Sequence, residues 1–218
     1  MTFRPFRPRP AVPRRGVRLH VGAGRERFEE WVNIDIQQLP GVDVVADVTD
    51  GLDFEDCEAV YAEHFLEHLR IDDAIDFLAE CHRVLAPGGW LRLSTPNLEW
   101  VLVTHYHPWL SDEEKAHEAI LMNRAFHGWR HRFLWNRQLL GRALAACGFD
   151  PVVWCRWGES EQEIFAGIER HEQMIETDEH PHVLIAEARK PETGGDGGEA
   201  LAELRETVAR DFLSHLED

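Results

Sequence analysis

No stretch of the 218 residues approaches the roughly 18 consecutive apolar residues that a membrane span requires, so a soluble globular chain with no membrane partner is expected. Basic residues are in short supply as well: 23 Lys+Arg face 40 Asp+Glu, a formal net charge of −17. Binding a polyphosphate relies on clustered Lys and Arg that displace counterions, so this balance argues against general nucleic-acid binding while leaving room for one specific basic site. Cysteine is sparse. Cys57, Cys81, Cys147 and Cys155 show neither metal-ligand spacing nor the density of a disulfide scaffold, and they read as reduced residues of a cytoplasmic protein. The N-terminus lacks the apolar h-region of a secretory signal, and the chain contains no internal repeat.

What is present divides the chain. Hydrophobic residues at 44% and aromatics at 10% are ample for a packed core. Residues 1–18 carry six Arg, four Pro and no acid, and the basic, Pro-rich arm is expected to end at Gly16. Its prolines oppose the amphipathic helix of a transit peptide, so a solvated arm is the expectation. A main domain spans 17–190, and four glycines within 191–198 suggest a flexible linker. Beyond it, at 199–218, Leu201, Leu204, Val208, Phe212 and Leu216 recur at helical steps. That helix needs a cover, either its own domain or a second copy in a homodimer.

Within the main domain short β-branched runs at 17–21, 31–36 and 42–47 precede an apolar stretch at 58–62 and an amphipathic segment from Ile71 to Leu85. Pro87-Gly88-Gly89 reads as a turn before a strand at 90–94. Asn136 can cap a helix that Gly148 can close, and strands at 151–157 and 182–189 follow. Strands alternating with helices imply an α/β fold whose largely parallel sheet is covered on both faces, with ligands at the carboxyl ends of the strands.

The first such end is Val21-Gly22-Ala23-Gly24. Glycines there let a ligand approach the backbone, but the third glycine of a dinucleotide fingerprint is missing. Asp35 can accept from both hydroxyls of a ribose, as in any adenosyl ligand. It follows Gly24 by only 11 residues, against roughly 20 in the dinucleotide fold, so the intervening helix is expected to have one or two turns and a nicotinamide dehydrogenase is disfavoured. Asp47 ends the next strand, where it could accept from an adenine amino group.

The ordered series Leu19-His-Val-Gly-Ala-Gly24, Trp31-Val-Asn-Ile-Asp35, Ala46-Asp47-Val48, His64-Phe-Leu-Glu-His-Leu69 and Arg83-Val-Leu-Ala-Pro-Gly-Gly-Trp-Leu91 resembles class I S-adenosylmethionine-dependent methyltransferases, and most of all the small bacterial type-11 group. The resemblance runs from about residue 17 to 190. It implies a Rossmann-like sheet of seven strands, mostly parallel with an antiparallel last strand, and S-adenosylmethionine as cofactor. It also implies Gly22, Ala23 and Gly24 at the methionine part, Asp35 and the adjoining Ile36 at the ribose, Asp47 and the adjoining Val48 by the adenine, and His64 completing the set. His20 departs from the family, which usually has an acid near this loop.

Methyl transfer from a sulfonium needs positioning, plus a base where the acceptor is a hydroxyl or an ammonium. His64 and His127 are the candidates. His127 belongs to an insertion at 97–135 that holds His105, His107, His117 and His131, with Trp100, Tyr106, Trp109, Phe126, Trp129, Phe133 and Trp135. Such a segment suits an acceptor lid or a structural cover. His64-x-x-Glu67-His68 matches the letters of an inverted zinc-protease motif, but it follows a strand and lacks a further ligand helix. A milder metal reading comes from resemblance to methyltransferases of the ubiquinone pathway and of small-RNA termini: His64, Glu67 and His68 with His127 or His131 as a distant ligand. Otherwise Glu67 and His68 brace the cofactor loop. The basic run at 126–133 could hold a carboxylate or phosphate. The acid-rich 158–180 reads as a solvated excursion or a second lid. The expected function is methylation of a small-molecule acceptor. A catalytically silent adenosyl-ligand or partner-binding module, or a cyclase or lyase consuming S-adenosylmethionine, are the alternatives.

Overall fold

The computed structural model describes residues 14–105, 107–171, 179–195 and 197–216. Seven strands form one sheet: β1 Arg18–Val21, β2 Val32–Asp35, β3 Val44–Val45, β4 Cys57–Glu63, β5 Leu85–Pro96, β6 Val152–Cys155 and β7 Val183–Arg189, in the spatial order β3-β2-β1-β4-β5-β7-β6. β7 runs antiparallel to β5 and β6, and every other pair is parallel. The strand order reverses between β1 and β4, where a crevice for a ligand opens at the carboxyl ends.

Five helices accompany the sheet: α1 Ile71–Val84, α2 Leu98–His105, α3 Asp112–His127, α4 Arg137–Ala146 and α5 Gly198–Asp211. α1 buries Ile71, Ala74, Ile75, Leu78 and Cys81, one stripe at steps of three and four. Asp72 and Asp73 in its first turn and His82 and Arg83 in its last complement the helix dipole. α4 starts where Asn136 accepts from the Leu139 N–H at 2.9 Å, and Gly148 follows it at φ 94°. α5 sets Leu201, Leu204 and Val208 into the core formed by α1, α4 and the sheet, so the helix packs on its own domain. Gly197, before α5, lies so near α4 that a Cβ there would stand 1.5 Å from the Ala146 carbonyl oxygen; this part of the glycine-rich segment is a close contact instead of a loose tether. Of the expected N-terminal arm, only Arg14 to Gly16 fall within the described residues, and there Arg14 and Arg15 pair with Asp53 and Glu55.

Three expectations need correction. Residues 25–31 form turns and no helix, because the chain covers the short distance from Gly24 to β2 directly. Pro87-Gly88-Gly89 lies inside β5, at a register irregularity opposite Cys57 and Ala59. A Cβ on Gly89 would come within 2.9–3.1 Å of three backbone carbonyls, so glycine here serves close strand approach. The third concerns the acid-rich stretch at 158–180, part of which covers one face of the sheet. Leu19, Val60, Leu91 and Ala186 point to the helices, whereas their neighbours His20, Tyr61, Arg92 and Glu187 point to a face covered by the 25–31 turns and by residues 156–171.

The acid-rich excursion is therefore packed as far as residue 171, and 172–178 lie outside the described residues. Phe165 and Ile168 join Phe28 and Tyr61 in a second aromatic cluster. Beside it the fully buried Arg92 meets Glu169 at 2.6 Å and also pairs with Glu187, while Gly158 N–H donates to Glu169 at 3.0 Å. Glu159, Glu161 and Glu163 are exposed, but Glu169 is a partner of the buried guanidinium.

Candidate active site

The crevice is built from strand ends. Gly22 and Gly24 turn the chain away from β1 with φ of 69° and 55°, values a side chain would strain. A Cβ on Gly22 would lie 2.5 Å from the Phe65 ring. Asp35 closes β2. Its Oδ2 accepts the Gly24 N–H and its Oδ1 the Gln37 N–H, each at 2.8 Å, so one lone pair on each oxygen stays available. Ile36 next to it is 62% exposed, an apolar shelf turned to the opening. Asp47 caps a single 3₁₀ turn, and the side-chain and backbone bonds from Thr49 hold its carboxyl below the ordinary range. Together with Val48, His64, Phe65, His68, Trp129, Arg130 and Arg132, these residues enclose a cleft of about 630 Å³.

A second cavity of about 540 Å³ adjoins it and shares His64, His68 and Trp129 as its wall. Its far side comes from the insertion: Trp100, Val101 and His105 of α2, Leu121, Arg124 and Ala125 of α3, and His131. Pro96 at the end of β5 and His182 just before β7 complete it. α3 begins with a full capping box between Ser111 and Glu114 but buries no residue, so its position depends on the cavity wall and not on a core. Trp129 and Arg130 take left-handed backbone at φ 51° and 67°, which costs about 1–2 kcal/mol per residue. Such strain at the wall between two cavities marks a functional position.

His64 stands at the end of β4, also left-handed at φ 46°, with its Nδ1 3.0 Å from Glu67 Oε1. A carboxylate oxygen only accepts, so Nδ1 carries the proton and Nε2 keeps its lone pair. Burial works against the imidazolium, but the bond to and charge of Glu67, with Glu63 adding, raise the His64 pKa above its ordinary value. Glu67 itself is fully buried, and its Oε2 accepts from Thr95 at 3.0 Å.

A family profile described as "Methyltransferase domain" matches residues 19–93, from the start of β1 through β5 and thus across the whole cleft floor. Over those residues the chain matches the methyltransferase-domain family, and its seven-stranded sheet has the class I methyltransferase fold. Among solved structures, a SAM-dependent methyltransferase from Archaeoglobus fulgidus is 17% identical, with a TM-score of 0.50 over 81% of this chain and 86% of that one. A possible histamine N-methyltransferase from Thermotoga maritima gives 17% and 0.50 over 82% and 84%. The 1,6-didemethyltoxoflavin-N1-methyltransferase of Burkholderia thailandensis, solved with its substrate and S-adenosylhomocysteine, gives 21% and 0.50 over 82% and 72%. At such identities the likeness is one of fold. No protein in the curated set matches the chain.

Within this fold Gly22, Asp35, Ile36, Asp47, Val48 and His64 all line the cleft, whereas Ala23 is buried behind it and Gly24 turns its N–H to Asp35. His127 is exposed at the end of α3 and borders neither cavity. Of the suggested metal set, His64 stays apart with its Nδ1 on Glu67; the residues whose ligand atoms lie within 4.8 Å of one another are Glu67, His68 and His131. Both Glu67 oxygens already hold hydrogen bonds and its carbonyl accepts from Arg132 and Phe133, so its contacts brace the loop. His20 is turned away from the cleft, stacked on Phe28 at 4.4 Å and bonded to Asn33 at 3.1 Å, and burial lowers its pKa.

Sequence reading missed Thr95, Arg124, His182, Glu63 and His171. None belongs to a local motif. Glu63 takes the backbone N–H groups of Arg170 and His171 and pairs with the His171 ring, which in turn meets the His64 ring edge-on at 4.8 Å. Burial alone would push the Glu63 carboxyl up, but these bonds pull it down to about 2. A folded pKa below the ordinary 4.5 means that the contribution to stability is complete above pH 4.5 and is lost as pH falls toward 2. Between pH 5 and 2.5, Glu63→Gln is therefore expected to lose less stability than the wild type in urea denaturation. Equal losses would show that Glu63 is not held this way.

Proposed function

We propose that the protein is an S-adenosylmethionine-dependent methyltransferase that modifies a small molecule held in the cavity behind the insertion, with His64 as the general base. The observation that carries this is the pair of adjoining cavities whose common wall includes His64. The 630 Å³ cleft fits the cofactor: Gly22 lines it without a side chain, Asp35 offers two oxygens, and Ile36 presents an apolar shelf. When bound, S-adenosylmethionine supplies an electrophilic methyl group and a thioether leaving group. Asp35 and Asp47 then orient it, and the second cavity excludes water from the acceptor. His64 Nε2 takes the acceptor proton, while Glu67 fixes the tautomer through Nδ1 and stabilises the resulting imidazolium.

Calorimetric titration with S-adenosylmethionine and S-adenosylhomocysteine tests the cofactor half. Both are expected to bind, and Asp35→Ala is expected to weaken both by more than about tenfold, because charge-assisted acceptor bonds are worth about 1.5–3 kcal/mol. Unchanged affinity in the variant would remove Asp35 from the site, and no binding to the wild type would remove the reading.

A further inference from the structure

Resting on the reading just given, we infer that the acceptor is an aromatic anion: a planar ring bearing a carboxylate or phosphate that Arg124 receives. The argument begins with charge. The chain has 40 acids against 23 Lys+Arg, yet among the described residues the only acid on the wall of the 540 Å³ cavity is Glu67. That carboxylate is fully buried and already bonded to Thr95 and His64, so it offers little to a cationic ligand. Opposed to it are Arg124 and five imidazoles. Arg124 forms no ion pair among the described residues. Its guanidinium stands 5.7 Å over the Trp129 ring, an arrangement that holds the group in place while leaving its N–H fork for an anion.

The planar ring follows from the rest of the wall. Two indoles contribute to it, and both are held by neighbours. Trp100 has His105 edge-on at 5.9 Å and His182 at 4.4 Å, and Trp129 carries Arg124 on one face and lies 5.9 Å from the His131 ring. Pre-positioned aromatic walls with few polar groups favour flat, π-rich ligands, and the volume accommodates one or two rings. A neutral ring would leave Arg124 without an anion, and a cationic amine would meet it as a like charge.

The test is calorimetric titration of 4-hydroxybenzoate, its methyl ester, 4-hydroxyphenyl phosphate and tyramine into the full chain. Each is run with and without saturating S-adenosylhomocysteine, on the wild type, Arg124→Ala and Arg124→Lys. The wild type is expected to bind the better anion at least about tenfold more tightly than the ester, with tyramine weakest, as expected when a hydrogen bond between charged groups worth about 1.5–3 kcal/mol is lost. The preferred anion tells carboxylate from phosphate. Arg124→Ala should narrow the gap to about twofold or less by weakening the anion alone, Arg124→Lys should restore part of it, and S-adenosylhomocysteine affinity should not change. Equal binding of acid and ester, a gap that survives Arg124→Ala, or no aromatic binding to a protein that does bind S-adenosylhomocysteine would each overturn the inference. Discrimination for the anion without any binding of S-adenosylhomocysteine would leave the anion site standing and defeat the methyl-transfer reading instead.

Discussion

Replacing Arg92 by alanine is expected to remove about 3–5 kcal/mol of folding stability, which urea denaturation at neutral pH would measure. The size follows from what remains. Arg92, Glu169 and Glu187 are all buried, and without the guanidinium two carboxylates face each other away from water. Removing one member of such a group costs far more than the group contributes, because the uncompensated charge must be desolvated. The surviving acids would take up protons more readily, so the deficit of the variant should shrink as pH falls toward 5. Replacing all three residues with apolar ones should recover most of the loss. A deficit under about 1 kcal/mol would mean that residues 156–171 are not anchored through Arg92.

His64→Asn should slow methyl transfer by about 10²- to 10⁴-fold on any acceptor that the wild type turns over, since a positioned base contributes about that much. Asparagine suits the test because it tolerates the left-handed backbone at φ 46° that alanine would strain. Its amide cannot accept a proton at neutral pH, so the loss reports the base and not the fold. In the wild type the rate should fall on the acid side of the raised His64 pKa, as Nε2 becomes protonated, and this limb should vanish in the variant. Initial rates across pH check both. A variant within tenfold of the wild type would move the base elsewhere, or show that the acceptor loses its proton unaided.

The strands and the helices α1, α4 and α5 were legible because each carries its own local pattern: a β-branched run in β1, an apolar stretch in β4, a stripe from Ile71 to Cys81, the Asn136 cap. The cofactor side of the crevice was legible for the same reason, since Gly22, Asp35 and Asp47 sit at successive strand ends. The acceptor side was not. Its wall joins α2, α3, the Trp129 turn and the start of β7, and His182 reaches it only because Pro96 pairs with Val183 across antiparallel strands. Long-range pairing of that kind leaves no periodicity to read. The acids of 158–169 misled for a related reason: a buried partner 77 residues away, Arg92, reverses what composition suggests for Glu169.

The place of β7 in the sheet bears on how the chain is made. It lies between β5 and β6 although it is translated after both, and residues 156–171, which cover Tyr61 and Arg92, reach their place beside Glu187 of that same strand. Neither face is complete before β7 is made, since the helical face also needs α5, which follows β7, and the opposite face needs Glu187 to complete the group around Arg92. Phe28, Tyr61 and Trp90 form the surface exposed during that interval, and it is there that a holding chaperone would engage the unfinished protein.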